Sequence, residues 1–308
     1  MHVVITGGAG FIGAHSSRLL LSRGHRVTAV DDLSHGRREA VAAGAALEVL
    51  DVRDPALPPL FERLRPDAVL HLAAQMDVRK SVADPAFDCA VNVGGTVGVL
   101  EAAARSGCKR VVFASSGGAI YGEPEAFPQT ERHPRQPASP YGASKLCAEE
   151  YLALYRRLRG LSTAAMRYAN VYGPGQDPVG EAGVVAIFCS RLLQGHPPVI
   201  NGDGRQTRDY VHVEDVARAN AAALESAAQG ALNIGTGVES TVLDLLRHLA
   251  AELPSAPPPR HGPAKPGEQR RSVIEASAAR AALGWAPTVA LAEGLAQTMR
   301  WFRAQGGR

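Results

Sequence analysis

The sequence predicts an α/β fold built on a doubly wound parallel sheet, with a smaller C-terminal α/β lobe. Short, almost wholly apolar strands alternate with helical patterns through the first half of the chain. Strands of this kind are buried on both faces, as in parallel sheets that helices cover on each side. After about residue 172 the alternation breaks at a long loop rich in glycine and proline. We therefore expect one domain at 1–172 and a second lobe at 173–308, from which some elements return to the first domain.

The hydrophobic pattern places the individual elements. The predicted strands of the first half are 2–5, 25–30, 47–50, 68–72, 110–114 and 162–167, and the helices include 11–24, 86–106 and 141–159. In the second half we expect helices at 184–195, 213–228, 241–252, 277–283 and 291–305, a strand and loop at 198–212, and a strand at 231–234. Six prolines between Pro254 and Pro266 argue against a regular element there and predict either a loop that lines a site or a disordered linker.

Composition excludes several classes of protein. The 308 residues are 45% hydrophobic and 20% charged, with a formal net charge of +3. Nucleic acid and anionic membranes attract concentrated basic surfaces, so we expect neither as a partner. The chain contains no run of 18 apolar residues, and its first residues enter a strand at once, so we expect a cytoplasmic protein with no membrane span.

The cysteines and histidines do not predict a metal site. Cys89, Cys108, Cys147 and Cys189 are widely spaced, and the ten histidines form no HExxH motif. Ligand spacing of the zinc type is therefore missing, and we expect no metal. Cys89 and Cys147 fall among apolar residues in helical patterns, which predicts small buried thiols.

A glycine-rich turn predicts a dinucleotide site. The string TGGAGFIG contains Gly7, Gly8, Gly10 and Gly13 between the first strand and the first helix. Glycines there allow a tight turn and let the helix N-terminus approach a pyrophosphate, as in Rossmann-like domains. Asp31 ends the second strand, where a carboxylate accepts the ribose hydroxyls of NAD and repels a 2′-phosphate. The alternative is a glycine turn whose strand-end Asp caps a helix at 37–43.

Three further segments border this site. Arg37 and Arg38 could pair with a 2′-phosphate, but Asp31 occupies its place and favours NAD over NADP. Asp51 and Val52 follow the third strand, where the carboxylate could reach the adenine or be a simple loop residue. Small residues in Leu72-Ala73-Ala74 leave room at the end of the fourth strand for a cofactor that crosses it.

The string YGASK predicts the catalytic pair. Tyr141 and Lys145 are four residues apart and share one helix face. An ammonium beside the phenol, together with an oxidised nicotinamide, favours the phenolate and makes the tyrosine a base near neutral pH. Lysine is scarce here, with four Lys against 29 Arg, which raises the question of a specific need for an ammonium. The preceding strand ends in Ser115 and Ser116, whose hydroxyls could orient a substrate or cap a turn.

Together these motifs resemble the extended short-chain dehydrogenases/reductases, and more narrowly the NAD-dependent nucleotide-sugar epimerases that act on UDP-glucose and UDP-galactose. The strings RYANVYGPGQ, RDYVHVEDVA, NIGTG and PGE extend the resemblance over nearly the whole chain. It implies tightly bound NAD, a UDP-sugar substrate inverted at C4 through a 4-keto sugar, and a homodimer formed through helices 86–106 and 141–159.

The resemblance also implies residue roles. Tyr141 would take the C4 hydroxyl proton, Ser116 would hold the C4 oxygen, and Lys145 would tune Tyr141 and bind the nicotinamide ribose. The cofactor contacts it implies are Gly7, Gly10, Phe11, Ile12, Gly13, Asp31, Asp32, Leu33, Asp51, Val52, Leu72, Ala73, Ala74, Asn92, Ser115, Tyr141, Lys145, Tyr168 and Val171. The substrate contacts it implies are Ser116, Asn170, Val184, Arg208, Tyr210, Lys265 and Glu268, with Arg208 on the diphosphate.

One departure and several alternatives remain open at this stage. Many of these epimerases carry a hydroxyl where this chain has Gly117, so the role of Ser116 rests on a shifted position. The stretch GGAIYG lacks the acidic residue typical of related dehydratases, which favours epimerisation. Ser272 replaces a bulky residue and would leave room for N-acetyl groups. The alternatives are a UDP-GlcNAc or UDP-glucuronate 4-epimerase, a nucleotide-sugar reductase and an NAD-binding regulator.

Overall fold

A computed structural model of the protein describes residues 1–179, 183–264 and 269–306. The described strands are β1 (His2–Thr6), β2 (Arg26–Asp31), β3 (Ala46–Val49), β4 (Ala68–His71), β5 (Arg110–Ser116), β6 (Ser162–Tyr168), β7 (Asn170–Tyr172), β8 (Val199–Asn201), β9 (Thr207–His212), β10 (Gly230–Ile234), β11 (Glu239–Thr241), β12 (Arg260–Gly262) and β13 (Arg271–Ser272). The α-helices are α1 (Phe11–Ser22), α2 (Leu57–Leu64), α3 (Val78–Ala83), α4 (Pro85–Cys89), α5 (Gly95–Arg105), α6 (Gly117–Ile120), α7 (Pro140–Arg159), α8 (Val184–Leu193), α9 (Val213–Glu225), α10 (Val242–Ala251), α11 (Ser277–Leu283) and α12 (Leu291–Ala304).

Seven parallel strands form the main sheet in the order β10-β6-β5-β4-β1-β2-β3. Its inner strands are continuous apolar runs that are buried on both faces, which confirms the predicted doubly wound α/β fold. One core cluster includes Val3, Leu20, Leu70 and Met166, and a second on the other face includes Phe61 and Val111.

The chain beyond residue 172 contributes to both lobes. Strand β10 pairs with β6 at the edge of the main sheet, and Val216 of α9 and Trp285 belong to the same core cluster as Val3. A separate core cluster forms the smaller lobe, where Tyr172 and Phe188 pack with Leu245, Met299 and Phe302. A small sheet of β11, β9, β13 and β7 lies at this end of the molecule.

Four local expectations are wrong. The predicted helix 86–106 is interrupted by a π-helical turn at Ala90–Gly94, so it forms α4 and α5. The segment 37–43 forms a 3-10 turn at Arg38–Ala40 in place of a helix. The proline tract contains β12, because Arg260–Gly262 is free of proline and pairs with β8. Cys89 and Cys147 are exposed, since apolar neighbours in sequence do not turn a helix position inward.

Candidate active site

The centre of the main sheet creates a crevice at its carboxyl edge. Strands β1 and β4 are neighbours, yet the chain continues from β1 to β2 on one side and from β4 to β5 on the other. Connections that diverge in this way leave a gap above the strand ends, where ligands of open α/β sheets bind. Thr6 and His71 are register partners at this point, and Gly7 and Ala73 follow closely after them.

The glycine turn fits a pyrophosphate. Gly7 has a φ of +70°, and a Cβ there would lie 2.7 Å from the backbone nitrogen of Ala73. A Cβ at Gly13 would collide with the carbonyl oxygen of Gly7, so the turn and α1 pack backbone against backbone. No side chain of the described residues caps α1 at Gly10. Its first N–H groups and its dipole therefore suit the phosphates of a dinucleotide.

Asp31 lies at the end of β2 and supports the same turn. Its carboxylate accepts hydrogen bonds from the backbone N–H of Ala9 (2.9 Å) and of Leu33 (2.9 Å), and burial raises its pKa. Leu33 has a φ of +59°, which turns the chain away from the strand end. Neighbouring Asp32 instead accepts from the backbone and hydroxyl of Ser34. The backbone partners of Asp31 thus belong to the two turns beside it, and each of its oxygens keeps acceptor capacity for a ribose.

The polar residues after β3 pair with arginine. Both oxygens of Asp51 accept from Arg53, and this pairing lowers the pKa of the carboxyl. Val52 is buried beside Gly95, where a Cβ would lie 2.7 Å from Val52 Cγ2. The exposed Arg37 lies 3.6 Å from Asp177, on the loop that leads to the smaller lobe.

The loop after β4 is held by Asn92 of the π-helical turn. The Asn92 side chain accepts from the Gln75 N–H (2.9 Å) and donates to the Gln75 carbonyl (2.8 Å). Asn92 therefore positions the segment that contains Leu72, Ala73 and Ala74 at the edge of the crevice. Other residues predicted to contact the cofactor lie at the start of α1, at the ends of β5 and β6, and on β7 of the small sheet: Phe11, Ile12, Ser115, Tyr168 and Val171. Tyr168 is buried, and its hydroxyl donates to Asn220 of α9 (2.6 Å).

The predicted catalytic residues meet at the end of β5. The Ser116 side chain lies close enough to the phenol of Tyr141 to lower its pKa, and Tyr141 stays partly accessible in the first turn of α7. Lys145 is buried one turn further on, and its Nζ donates to the Ala114 carbonyl (2.8 Å). The Nζ also lies 5.7 Å from the centre of the Tyr141 ring. The sequence thus predicted a juxtaposition that the structure forms.

The electrostatics of this pair differ from the simple expectation. Burial raises the pKa of Tyr141 to about 12, with a further increase from Asp88 and a decrease from the Ser116 hydrogen bond. Burial lowers the pKa of Lys145 to about 8, against increases from Asp88 and Glu149. The groups of the chain alone therefore do not make Tyr141 a base at neutral pH, and a further positive charge is required beside it.

A buried polar network behind the pair escaped the sequence analysis. Glu149 accepts from Ser115 (2.6 Å) and forms an ion pair with Arg167 (2.6 Å). Arg167 also donates to the Tyr121 phenol, whose hydroxyl donates to Asn233. Glu149 follows Lys145 by four residues and so shares its helix face, which is the one signal that could have indicated it.

Four residues expected at the substrate share one face of the small sheet. Arg208 and Tyr210 are two apart on β9, so their side chains lie on the same side. In the register, Asn170 is the partner of Tyr210 and Ser272 is the partner of Arg208. The half-buried Arg208 donates to the Thr207 carbonyl (2.8 Å). Pairing of distant strands thus brings the four residues to one face, where Asn170 is exposed, Arg208 is half-buried, and Tyr210 and Ser272 are buried.

The remaining expectations concern the ends of two loops. Val184 begins α8 and is half-buried. Lys265 and Glu268 lie outside the described residues. Among the residues that the structure describes, no group of three or more His, Cys, Asp or Glu side chains is placed to hold a metal ion. None of the described helices is long and apolar enough to cross a membrane.

Fold and site together define a Rossmann-like domain whose sheet edge carries a glycine turn and the residues Ser116, Tyr141 and Lys145. Residues 3–235 match the model of the NAD-dependent epimerase/dehydratase family, and the chain belongs to this family. It is 46% identical to UDP-glucose 4-epimerase of Mycolicibacterium smegmatis over 98% of this chain and 99% of the relative. The family resemblance that the motifs indicated is confirmed.

Solved structures agree with this assignment. UDP-glucose 4-epimerase of Thermotoga maritima with UDP-glucose has a TM-score of 0.97 and 43% identity, with 99% of each chain covered. The UDP-glucose 4-epimerase of Thermus thermophilus in complex with NAD has a TM-score of 0.93 and 45% identity, covering 98% of this chain and 99% of that one. The cofactor of this chain is NAD, which the glycine cradle at Gly7 and Gly13 and the strand-end Asp31 fit.

Proposed function

We propose that the protein is a UDP-glucose 4-epimerase that interconverts UDP-glucose and UDP-galactose. One observation carries the proposal: Tyr141, the neighbouring Ser116 and the buried Lys145 lie at the carboxyl edge of the sheet that also presents the glycine turn. This arrangement supports one proton-transferring group and one orienting hydroxyl for a sugar held against the nicotinamide. Inversion at C4 needs these groups and no further reactant.

NAD, when bound, supplies the acceptor and later the donor of the C4 hydride, and its positive ring favours the Tyr141 phenolate. Tyr141 takes the proton of the C4 hydroxyl and returns it to the C4 oxygen after the 4-keto sugar has turned over. Ser116 donates to or accepts from the same oxygen and fixes its distance from the phenol. Lys145 keeps a positive charge near the phenolate and has donors left for the ribose beyond the one given to Ala114.

The smaller lobe holds the UDP part of the substrate. Arg208 supplies the cation that a diphosphate requires, and Asn170, Tyr210 and Val184 are proposed to contact the same ligand. Lys265 and Glu268 are proposed to reach the phosphate and the ribose of UDP. NAD binding is assigned to the chain before residue 172, and UDP binding to the chain after it. Strand β10 and helix α9 are the elements that return to the NAD-binding part.

Epimerisation is favoured over elimination of water. A dehydratase needs a second acid or base near C5 and C6, and the stretch Gly117–Gly122 that borders Tyr141 carries no ionisable side chain other than the buried Tyr121. The Tyr121 hydroxyl already bonds Asn233 and Arg167, away from a substrate role. The small, buried Ser272 beside Arg208 supports a second activity on UDP-N-acetyl sugars.

The test is an assay of purified protein with UDP-glucose, UDP-galactose, their N-acetyl forms and UDP-glucuronate, without added NAD(P)H. We expect UDP-glucose and UDP-galactose to reach the same mixture from either side. In a parallel assay with NAD(P)H added, a reductase would instead consume it in proportion to product. Bound NAD without conversion of any substrate would rule out the epimerase and leave an NAD-binding regulator.

We also infer a cytoplasmic homodimer in which each subunit contributes α7 and the continuous helix formed by α4, the π-helical turn and α5, so that the two subunits form a four-helix bundle. The outward side of these helices exposes Cys89, Cys147 and Leu158, the last 70% accessible. Exposed apolar groups on adjacent helices support an interface there. Light scattering at micromolar concentration should give the mass of two chains, and a monomer would contradict the dimer.

A further inference from the structure

Asp88 is a fully buried carboxylate beside the catalytic pair, and the mechanism above gives it no role. It lies on α4 directly before the π-helical turn and is 0% exposed. Its Oδ1 accepts from the side-chain amides of Gln75 (2.9 Å) and Asn92 (2.9 Å). Its Oδ2 accepts from the Ser144 hydroxyl (2.7 Å), next to Lys145 on α7. Asp88 therefore links the loop after β4 to the catalytic helix.

The hydrogen-bond pattern requires an acceptor at Oδ1, whereas the Ser144 hydroxyl at Oδ2 can donate or accept. The Gln75 amide is oriented because its oxygen accepts from the Asp77 N–H (2.6 Å). The Asn92 amide is oriented because its oxygen accepts from the Gln75 N–H (2.9 Å). Both amide nitrogens must then point at Asp88 as donors. Two fixed donors at Oδ1 and a hydroxyl that can donate to Oδ2 suit a carboxylate.

The charges around Lys145 leave Asp88 as the counter-charge. Glu149, the other carboxylate that acts on Lys145, is neutralised by two hydrogen bonds from Arg167. His71 of β4 faces Lys145, and its pKa is lowered to about 3 by burial and by the lysine, so it is neutral. Asp88 raises the pKa of both Lys145 and Tyr141, and the pairing of Tyr141 with Ser116 adds no charge.

We propose that Asp88 is a positioning residue that holds Lys145 as a buried ammonium and couples the catalytic helix to the cofactor-binding loop. An isolated ammonium would be unstable at this depth, and a carboxylate within the same buried cluster compensates it. The same negative charge opposes ionisation of Tyr141, so Asp88 sets the pH range over which protonated Lys145 and ionised Tyr141 coexist. The proposal rests on the epimerase function and deepens it.

The first experiment compares Asp88→Asn with Asp84→Asn in the pH profile of kcat for UDP-galactose. Asn can keep all three hydrogen bonds of Asp88, because its amide nitrogen can donate to Ser144, so the charge alone is removed. The acid limb reports ionisation of Tyr141, and the basic limb reports loss of the Lys145 proton. We expect both limbs to move to lower pH by about one unit, since Tyr141 and Lys145 lose the same negative neighbour. Asp84 is exposed at the N-cap of the same helix, where Asn caps equally well, and its variant should match the wild type.

A lower kcat with unmoved limbs would overturn the proposal, because a structural role alone does not shift ionisation. If wild-type protein does not interconvert the sugars, the proposed function fails, and the second experiment still tests Asp88. It measures the melting temperature of Asp88→Asn, Lys145→Met and the double variant, all with NAD present.

We expect Asp88→Asn to lower the melting temperature of the wild type and to raise or preserve that of Lys145→Met, where Asp88 has lost its counter-charge. If Asp88→Asn alone does not fold, a folded double variant still supports the pairing. If Asp88→Asn lowers the melting temperature of the wild type and of Lys145→Met equally, Asp88 does not act through Lys145. The same conclusion follows if neither Asp88→Asn nor the double variant folds.

Discussion

The Ser115 hydroxyl donates a hydrogen bond of 2.6 Å to Oε1 of Glu149, which ties the end of β5 to the helix that carries Tyr141 and Lys145. The neighbouring Ser116 faces the Tyr141 phenol instead. Two consecutive serines thus serve different partners, since successive residues of a strand point to opposite sides. One supports the catalytic helix from behind, and the other belongs to the reacting centre.

Removal of the Glu149 charge should destabilise the protein. Glu149→Gln would leave the buried Arg167 without its counter-ion, and breaking one partner of a buried pair costs about 3–5 kcal/mol of unfolding free energy. Denaturant unfolding measures the effect. Glu150→Gln is the matched control, because that neighbouring residue pairs with Arg135 at the surface and should change stability little. Equal effects of the two variants would contradict a buried ion pair.

Tyr141→Phe should remove most of the activity and leave the fold intact. The phenol is the proposed proton acceptor, and loss of a general base lowers kcat by about 10²–10⁴-fold. Steady-state kinetics give kcat, and the content of bound NAD checks the fold. Tyr151→Phe, on the same helix and half-buried against a core cluster, should retain wild-type kcat. Comparable losses in both variants would remove the special role of Tyr141.

A hydroxyl at position 117 should not substitute for Ser116. A Cβ at Gly117 would lie 2.8 Å from Cδ1 of Ile274, so a serine there must displace a packed side chain. We expect Ser116→Ala to lower kcat at least about tenfold, since the C4 oxygen loses its orienting partner. The double change Ser116→Ala with Gly117→Ser should stay as slow and melt at a lower temperature.

Gly118→Ser is the control for the neighbouring position, because a Cβ at Gly118 meets nothing within 4 Å. It should melt within a few degrees of the wild type. Rescue of kcat by serine at position 117 would show that the hydroxyl is needed there after all.

Arg208→Gln should weaken substrate binding more than catalysis. The guanidinium is the proposed partner of the diphosphate, which has the same charge in the ground state and the transition state, so KM should rise about 10–100-fold with little change in kcat. Arg205→Gln, an exposed neighbour three residues earlier, should leave KM unchanged. A lower kcat at unchanged KM would place Arg208 elsewhere in the reaction.

His71 should make the protein less stable at acid pH. It is buried between Thr6 (2.6 Å) and Thr96 (3.0 Å), and its pKa in the folded state is lowered to about 3 from the ordinary value of 6.5. Between these two pH values the unfolded chain binds a proton that the folded chain does not. The contribution of His71 to the free energy of unfolding is therefore fully present above pH ~6.5. Below that pH the free energy of unfolding falls by about 1.4 kcal/mol per pH unit.

Urea unfolding between pH 4 and 7 measures this slope, and His71→Gln should reduce it. Exposed His196 offers the control, because His196→Gln should leave the slope unchanged. An identical slope in the His71 variant would assign the acid sensitivity to other groups.

The sequence by itself determined the parts of this protein that depend on neighbours along the chain. Periodicity indicated the strands and helices of the main sheet, because burial on both faces leaves an unbroken apolar run. The glycines at 7 and 13 indicated a backbone approach to phosphate, and the spacing of Tyr141 and Lys145 placed both on one helix face. These inferences needed no knowledge of what packs across the chain.

Only the tertiary structure decided which distant residues meet. Asp88 and Ser144 are 56 residues apart, and their contact depends on how α4 packs on α7 after the π-helical turn. The register of strand pairing likewise placed Asn170 and Ser272 on the same sheet face as Arg208 and Tyr210 of β9. Burial then set the charge states, since desolvation raises the pKa of Tyr141 and lowers that of Lys145, whatever their spacing suggests. A pattern in sequence fixes the direction of a side chain on its own element, but the dielectric around it comes from the rest of the fold.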